Sequence, residues 1–350
     1  MTMVANPERG GASGGGTQFV RRYGVLLALI VLILVLAIAS PSFLEPRNIF
    51  NILSQWTPVG IMAIGATFVI LAGGFDLSAA SGFALCAVVA ALIASSGIGV
   101  EVAFLAALCV GLVIGAANAL LVVVLRINPF VATLASGFVL AGVPFTLVKN
   151  PYIMVFEDGF DAIGTGSISG VPYSVLILAA LFIIGGIVLS RTPFGEWVYG
   201  VGGNPEAARL FGIPVGWVTA ITYVISGFSM GAAAVISTSQ LSYSASDQDP
   251  ALIFNVIVAV VVGGTSLAGG YGAMWRTAVG LAILAAVQNG LNLMQVNSAA
   301  QYIVKGLIIV GALGFDVWTR SLSGASRANG PVAATAARPS RATAGKGGAS

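Results

Sequence analysis

Val102-Ala-Phe-Leu-Ala-Ala-Leu-Cys109-Val-Gly-Leu-Val-Ile-Gly-Ala-Ala-Asn118-Ala-Leu-Leu-Val-Val-Val-Leu125 runs for 24 residues without a charge. A helix of about 20 mostly apolar residues crosses about 30 Å of hydrocarbon. Lipid offers the backbone no hydrogen-bond partners, so only helices and closed barrels cross it. The stretch is too long and too continuously apolar for a barrel strand, which alternates in character over about 10 residues. It therefore predicts a membrane-spanning helix over 102–125, and the rest of the chain repeats the pattern.

Comparable runs lie near 23–40, 52–73, 79–97, 130–148, 173–190, 216–238, 251–268, 274–294 and 301–318. The expected fold is all-α: a polytopic transmembrane bundle of about ten spans. The segment 52–97 leaves room for a broken or re-entrant helix. Composition agrees, with 57% hydrophobic and 8% charged residues among 350, where soluble domains carry about 25% charged. Residues 1–20 and 321–350, rich in Gly, Ser, Thr and Ala, are expected to be disordered cytoplasmic tails around a membrane domain over 21–320. The first apolar run, Val25 to Ile38, follows Arg21-Arg22 and lacks a small-x-small cleavage site, so it reads as a retained signal-anchor span.

Basic residues set the orientation. With both termini in the cytoplasm, twelve of the fifteen fall inside: Arg9, Arg21, Arg22, Arg126, Arg191, Arg209, Arg276, Arg320, Arg327, Arg338, Arg341 and Lys346. Arg47 and Lys149 fall outside, and Lys305 sits near an outer helix end where it can snorkel. The outer segments collect the acids Glu45, Glu101, Glu157, Asp158, Asp161, Asp247 and Asp249.

The longest inner connection, 191–215, contains a helix with legible ends. Asn204 is a favoured N-cap, and Pro205 suits the first helical position. Glu206 lies where the helix dipole favours an anion. Ala207, Ala208, Arg209, Leu210 and Phe211 continue it, Gly212 can take the left-handed position beyond its end, and Pro214 blocks extension. Such a helix is a knob that a partner's groove could receive; an interfacial linker is the plainer alternative.

Gly73-Gly74-Phe75-Asp76-Leu77-Ser78 places a carboxylate where charge costs roughly 2.5–3.5 kcal/mol at mid-membrane and less near a span end. Asp76 or Ser78 capping the next helix is the cheapest reading; a small-residue break beside a translocation path is the functional one. The pair Gly73-Gly74 echoes Gly263-Gly264. Asn118, Thr133, Gln288, Asn289, Asn292 and Gln295 are polar groups inside spans, and Gln288, Asn292 and Gln295 share a helix face. They could glue helices together or line a route for a neutral, hydroxyl-rich solute. Cys86 and Cys109 both lie in apolar runs and read as small buried core residues.

Absences narrow the class. The chain has no His and two Cys, which excludes a tetrahedral zinc site and a haem His ligand; no metal or cofactor is expected. Basic residues are scattered, which argues against nucleic acid. There is no phosphate-binding Gly-x-x-x-x-Gly-Lys-[Ser/Thr], and no His base for a nucleophile. The chain is not expected to be an enzyme, and energy for transport must come from elsewhere.

At these residues the chain resembles the permease subunits of bacterial ABC sugar importers of the ribose/xylose/galactoside type, within the branched-chain amino acid/sugar permease superfamily. The resemblance runs from about Phe43 to Asp316. It rests on Thr192-Pro-Phe-Gly195, Tyr199, Gly202-Gly203-Asn204, Ala207-Ala208-Arg209 and Gly212-Ile213, which resemble the family's coupling loop. Asp76-Leu77-Ser78, Asn128-Pro129-Phe130, Gly263-Gly264-Thr265-Ser266-Leu267 and Asn289-Gly290-Leu291-Asn292 also recur in it. Two departures stand out. Ala79-Ala80-Ser81 replaces a usual Val-Gly-Ser, and Ile253-Phe254-Asn255 replaces a usual Glu-Leu-Asp.

The resemblance implies a non-catalytic subunit in the bacterial inner membrane that imports a monosaccharide or related polyol. A second permease copy or paralogue would complete the pathway. Separate ABC ATPase subunits would dock on 204–212, and an extracytoplasmic sugar-binding protein would deliver the solute. A branched-chain amino acid permease and a stand-alone secondary transporter are the alternatives.

Overall fold

A computed structural model describes residues 14–148, 150, 152–246, 251–308, 310, 311 and 314. The chain is a helical bundle. In order it forms α1 (Gly14–Ala39), α2 (Pro46–Gln55), α3 (Thr57–Leu71), α4 (Ala79–Ser95), α5 (Val100–Ala119) and α6 (Pro129–Leu147). There follow the strand β1 (Tyr152–Met154), the short α7 (Ala162–Thr165) and the strand pair β2 (Ser167–Ile168) and β3 (Val171–Pro172). Then come α8 (Tyr173–Arg191), α9 (Pro193–Gly203), α10 (Pro205–Leu210), α11 (Val215–Leu241), β4 (Tyr243–Ala245), α12 (Ala251–Val262) and α13 (Met274–Leu293). A last helix, α14, runs over 298–308.

Among the described residues, four helices are long and apolar enough to cross a membrane: α5 with its π-helical extension Leu120–Val124, α6, α8 and α11. The pair α2 and α3 qualifies together but bends by 51° at Trp56. Pro58 lacks an N–H, so the helix cannot run unbroken through this point. The break expected within 52–97 thus takes two forms, this bend and the non-helical segment between α3 and α4. The expected span 52–73 is the second half of a longer bent pair. Helix α1 is described from Gly14 onward. Of the expected tails over 1–20 and 321–350, residues 1–13 and 321–350 lie outside the described residues.

The packing is inverted relative to a soluble protein. Helix α3 is buried on all sides except at Ala66. Helix α4 presents Ala84, Ala87, Ala90, Ala91 and Ala94 to the interior, all at 4% exposure or less. Large apolar side chains face outward instead, among them Val113, Phe138, Val139, Ile183 and Ile187. Small residues inside and bulky apolar residues outside are what helices need to pack closely in lipid, where tails are as apolar as Leu. Cys86 is buried as expected, but Cys109 lies on the outer surface, because its side of α5 faces away from α11.

Helices α5 and α11 cross in close backbone contact. A Cβ on Gly111 would lie 2.2 Å from the Gly227 carbonyl oxygen, and one on Gly227 would lie 2.1 Å from that of Gly111. Gly115 and Gly231 continue the contact against Tyr223 and Ala107. Each helix therefore carries a Gly-x-x-x-Gly pair, which lets two backbones touch.

At one end of the bundle β1 pairs antiparallel with β4 (Tyr152↔Ala245, Ile153↔Ser244, Met154↔Tyr243). Nearby, the Ser239 hydroxyl donates to the Phe160 carbonyl at 2.6 Å and accepts from the Gly164 amide at 2.8 Å. Sequence patterning predicted no element between 148 and 173, because two- and three-residue strands are too short to show a period.

Candidate functional site

Helix α10 forms as its residues dictate. The Asn204 side chain accepts from the Glu206 and Ala207 amides, both at 3.0 Å. Pro205 occupies the first turn. Gly212 has φ +80°, and the Ile213 amide donates back to the Ala208 carbonyl at 3.0 Å, which closes the helix end. Ala208 is buried against the bundle, whereas Leu210 and Phe211 are 89% and 87% exposed. Glu206 and Arg209 also face outward. An apolar tip on a six-residue helix, seated on a buried Ala, is a rigid protrusion.

The rest of the connection is not a loop. Helix α9 precedes α10, and its start uses the same local device: the Thr192 hydroxyl accepts from the Gly195 amide at 3.3 Å, with Pro193 in the first turn. The sequence carries this capping signal at Thr192-Pro193. Aromatic contacts fasten α9 to the bundle. Phe194 stacks on Phe68 of α3 with centroids 6.3 Å apart, and Trp217 of α11 meets the edges of Phe194 and Trp197. The Tyr199 hydroxyl donates to the Gly272 carbonyl at 3.0 Å. Burial pushes its pKa up more than the Arg276 charge pulls it down, so the hydroxyl remains a donor.

Of the polar residues considered for a pathway, Asp76, Ser78, Asn118 and Thr133 come together. Asp76, the one buried carboxylate among the described residues, accepts at Oδ1 from the Ser78 amide (3.1 Å) and hydroxyl (2.6 Å), and at Oδ2 from the Ser226 hydroxyl (2.7 Å). Asn118 Nδ2 donates to Ser78 Oγ at 2.8 Å, and Asn118 Oδ1 accepts from Ser136 at 2.7 Å. Thr133 Oγ1 accepts from the Leu77 amide at 3.1 Å and donates to the Pro129 carbonyl at 2.8 Å. The Tyr223 hydroxyl donates to the Phe75 carbonyl at 3.0 Å. The break between α3 and α4 is thus tied to α5, α6 and α11. Ser78 occupies the N-cap position of α4, but its side chain makes no capping bond and is turned onto Asp76. Asp76 fills the capping role instead, since its Oδ1 accepts the Ser78 amide two residues on, while its Oδ2 ties the break to α11.

Gln288, Asn289 and Asn292 lie apart from this cluster, on α13. Asn289 exchanges hydrogen bonds with Asn48 at 3.0 Å in both directions. Gln288 Nε2 donates to Gln301 Oε1, and Gln301 Nε2 donates to Asn292 Oδ1 at 3.0 Å. Gln288 Oε1 is buried with no hydrogen-bond partner among the described residues. Gln288 also lines a narrow cleft with Trp56, Asn255 and Lys305. Sequence reading could not join these four, since they come from three helices and the α2–α3 bend. Gln295 lies past the end of α13 with φ +55°, so it does not continue the Gln288–Asn292 face.

A bundle with its bulky residues turned outward, helix breaks tied by polar side chains and a capped apolar knob at one end is a multi-pass helical membrane protein of the transporter class. A protein-family model for the branched-chain amino acid transport system permease component matches residues 48–313, and the chain belongs to this family. It is 37% identical over 298 residues to the ribose import permease protein RbsC of Bacillus subtilis, covering 85% of this chain and 92% of that one. RbsC of Escherichia coli K12 is 39% identical over 295 residues, covering 83% and 92%. The L-arabinose ABC transporter permease protein AraH of Azospirillum brasilense is 34% identical over 310 residues, covering 89% and 91%. No solved structure matches the chain.

Proposed function

We propose that this chain is the permease subunit of an ABC importer that carries a monosaccharide or related polyol into the cell. The carrying observation is the similarity to ribose and arabinose import permeases along nearly their whole length. It favours a sugar over the branched-chain amino acid in the family description. The chain lies in the bacterial inner membrane with about ten spans and both termini cytoplasmic. Its membrane domain covers 21–320, between two cytoplasmic tails.

ATP hydrolysis belongs to separate ATPase subunits, which dock on α10. Asn204 and Gly212 hold the ends of this helix, Ala207 and Ala208 seat it, and Glu206 and Arg209 flank its exposed tip. A second permease, identical or paralogous, completes the pathway, and an extracytoplasmic binding protein delivers the solute. Asp76, Ser78, Asn118 and Thr133 spend their hydrogen bonds on one another, on the Ser136 and Ser226 hydroxyls and on backbone, which supports their assignment as the lock of the helix break rather than as a solute-facing wall. Gln288 and Asn292, beside the cleft with Trp56, Asn255 and Lys305, are assigned to the route, with Asn289 bracing α13.

The test is co-purification of the full chain with proteins co-expressed from its gene neighbourhood, followed by uptake of labelled D-ribose, L-arabinose and leucine. An ABC ATPase should co-purify, and Phe211→Asp should abolish its association while leaving the permease folded. Leucine uptake without sugar uptake would replace the substrate assignment; ATPase-independent uptake would overturn the whole reading.

A further inference from the structure

Helices α9 and α10 meet at Gly202-Gly203-Asn204, so the exposed knob hangs directly on two glycines. A Cβ built on Gly202 would lie 1.7 Å from the carbonyl oxygen of Leu71, the last residue of α3, and 2.6 Å from the Gly270 amide. That amide donates to the same Leu71 carbonyl at 2.9 Å. Gly269 and Gly270 have φ +83° and +70° and lie in the segment after α12. A Cβ on Gly269 would meet Gly73 at 2.9 Å and the Gly202 carbonyl at 2.9 Å; one on Gly270 would meet Gly203 at 2.7 Å. Three chain segments therefore meet backbone to backbone: the end of α9, the exit of α3 and the segment after α12.

The α3 and α12 exits are built alike. After α3, Gly73 is left-handed (φ +82°) and the Gly74 amide donates to the Val69 carbonyl at 2.9 Å. After α12, Gly264 is left-handed (φ +87°) and the Thr265 amide donates to the Val260 carbonyl at 3.2 Å. Both are the same helix-terminating turn. In this turn Gly73 is equivalent to Gly264, one residue out of register with the Gly-Gly pairing of the sequence. Asp76 follows three residues after the first of these turns.

We propose that this three-way glycine junction carries the displacement of α10 to both helix exits, with Gly202 as its positioning residue. The inference rests on α10 being the ATPase-docking helix. The physical reason is stiffness. A contact between side chains can absorb a shift by changing rotamers, whereas touching backbones can only move together. The Tyr199 hydroxyl adds a second tie to the same segment through Gly272. Gly203 supplies an internal control, because a Cβ there has nothing within 4 Å.

Hydrogen exchange of the full chain in lipid nanodiscs, with and without its ATPase partner, tests the link. In the wild-type chain, docking should change exchange in 71–78 and 264–272 by about tenfold. Gly202→Ala should still bind the ATPase through the intact α10, yet lose that response at both segments. Gly203→Ala should respond like the wild type. If Gly202→Ala does not fold, Tyr199→Phe decides, with an expected response about threefold smaller. An unmoved 71–78 and 264–272 under a bound ATPase would overturn the junction and leave the docking assignment standing. So would a wild-type response from Gly202→Ala, or from Tyr199→Phe where that variant decides. Failure of the wild-type chain to bind any ATPase would overturn the docking assignment and the junction with it.

Discussion

Asp76 shows how hydroxyl and amide donors can hold one carboxyl group inside a bundle. Its oxygens accept three hydrogen bonds of 3.1 Å or shorter, two from Ser78 and one from Ser226. Donors of this kind replace the water that the carboxylate gives up on burial. Asp76→Leu would orphan the Ser226 hydroxyl, leave the Ser78 O–H without its acceptor and untie α11 from the break; each buried polar group left unsatisfied costs about 1–3 kcal/mol. We expect Asp76→Leu to lower the thermal unfolding temperature in detergent by several degrees. Asp76→Asn, which keeps the Oδ1 position and offers Ser226 an N–H in place of an acceptor, should lower it less. Equal stability of the two variants would count against the lock. The sequence marked Asp76 as unusual because a carboxylate stands between two apolar runs. It could not name Ser226, 150 residues away, because that partner is chosen by how α11 packs and not by any local spacing.

Elements defined by local rules were the legible ones. The caps of α10 follow from Asn204, Pro205 and Gly212 within nine residues of chain. Asn204→Ala removes the acceptor for two amides and should cost the helix about 1 kcal/mol. The expected outcome is weaker ATPase co-purification with an unchanged unfolding temperature, since α10 is peripheral to the core. Contacts between elements were less legible. Gly111, Gly115, Gly227 and Gly231 stand at four-residue spacing in two apolar runs, a readable small-residue signature, but only the structure shows that the two faces meet. Gly227→Ala must push α11 off the Gly111 carbonyl, which a Cβ would approach to 2.1 Å. It should therefore lower the unfolding temperature clearly. Gly142→Ala, on α6 with open space around its Cβ, should be neutral or raise stability by up to about 1 kcal/mol through helix propensity. Comparable losses from both glycine variants would refute the close crossing.

For the whole molecule, the decisive question is which end of the bundle faces the cytoplasm. The hairpin-like connections with Glu157, Asp158 and Asp161 and the helical connection with Arg191 and Arg209 are joined by α8, a 19-residue apolar helix. At about 1.5 Å per residue its length is close to the thickness of the hydrocarbon layer, so the two connections belong on opposite sides. Basic residues concentrate on the α9–α10 side, and cytoplasmic segments retain such residues during insertion. The proposed orientation follows from that asymmetry, and it places the exposed Leu210 and Phe211 where an ATP-hydrolysing partner can reach them. Single cysteines in a chain carrying Cys86→Ala and Cys109→Ala check it in intact cells. Cysteine at Glu157 should react with a membrane-impermeant thiol reagent from outside. Cysteine at Leu210 should react only after the membrane is opened. The background substitution at Cys109 matters, because that thiol is exposed on the helix surface and would otherwise report on lipid-side access. Labelling of Leu210→Cys from outside would place α10 on the wrong side for any cytoplasmic partner. The docking role of 204–212 and the glycine junction behind it would both fall with the orientation.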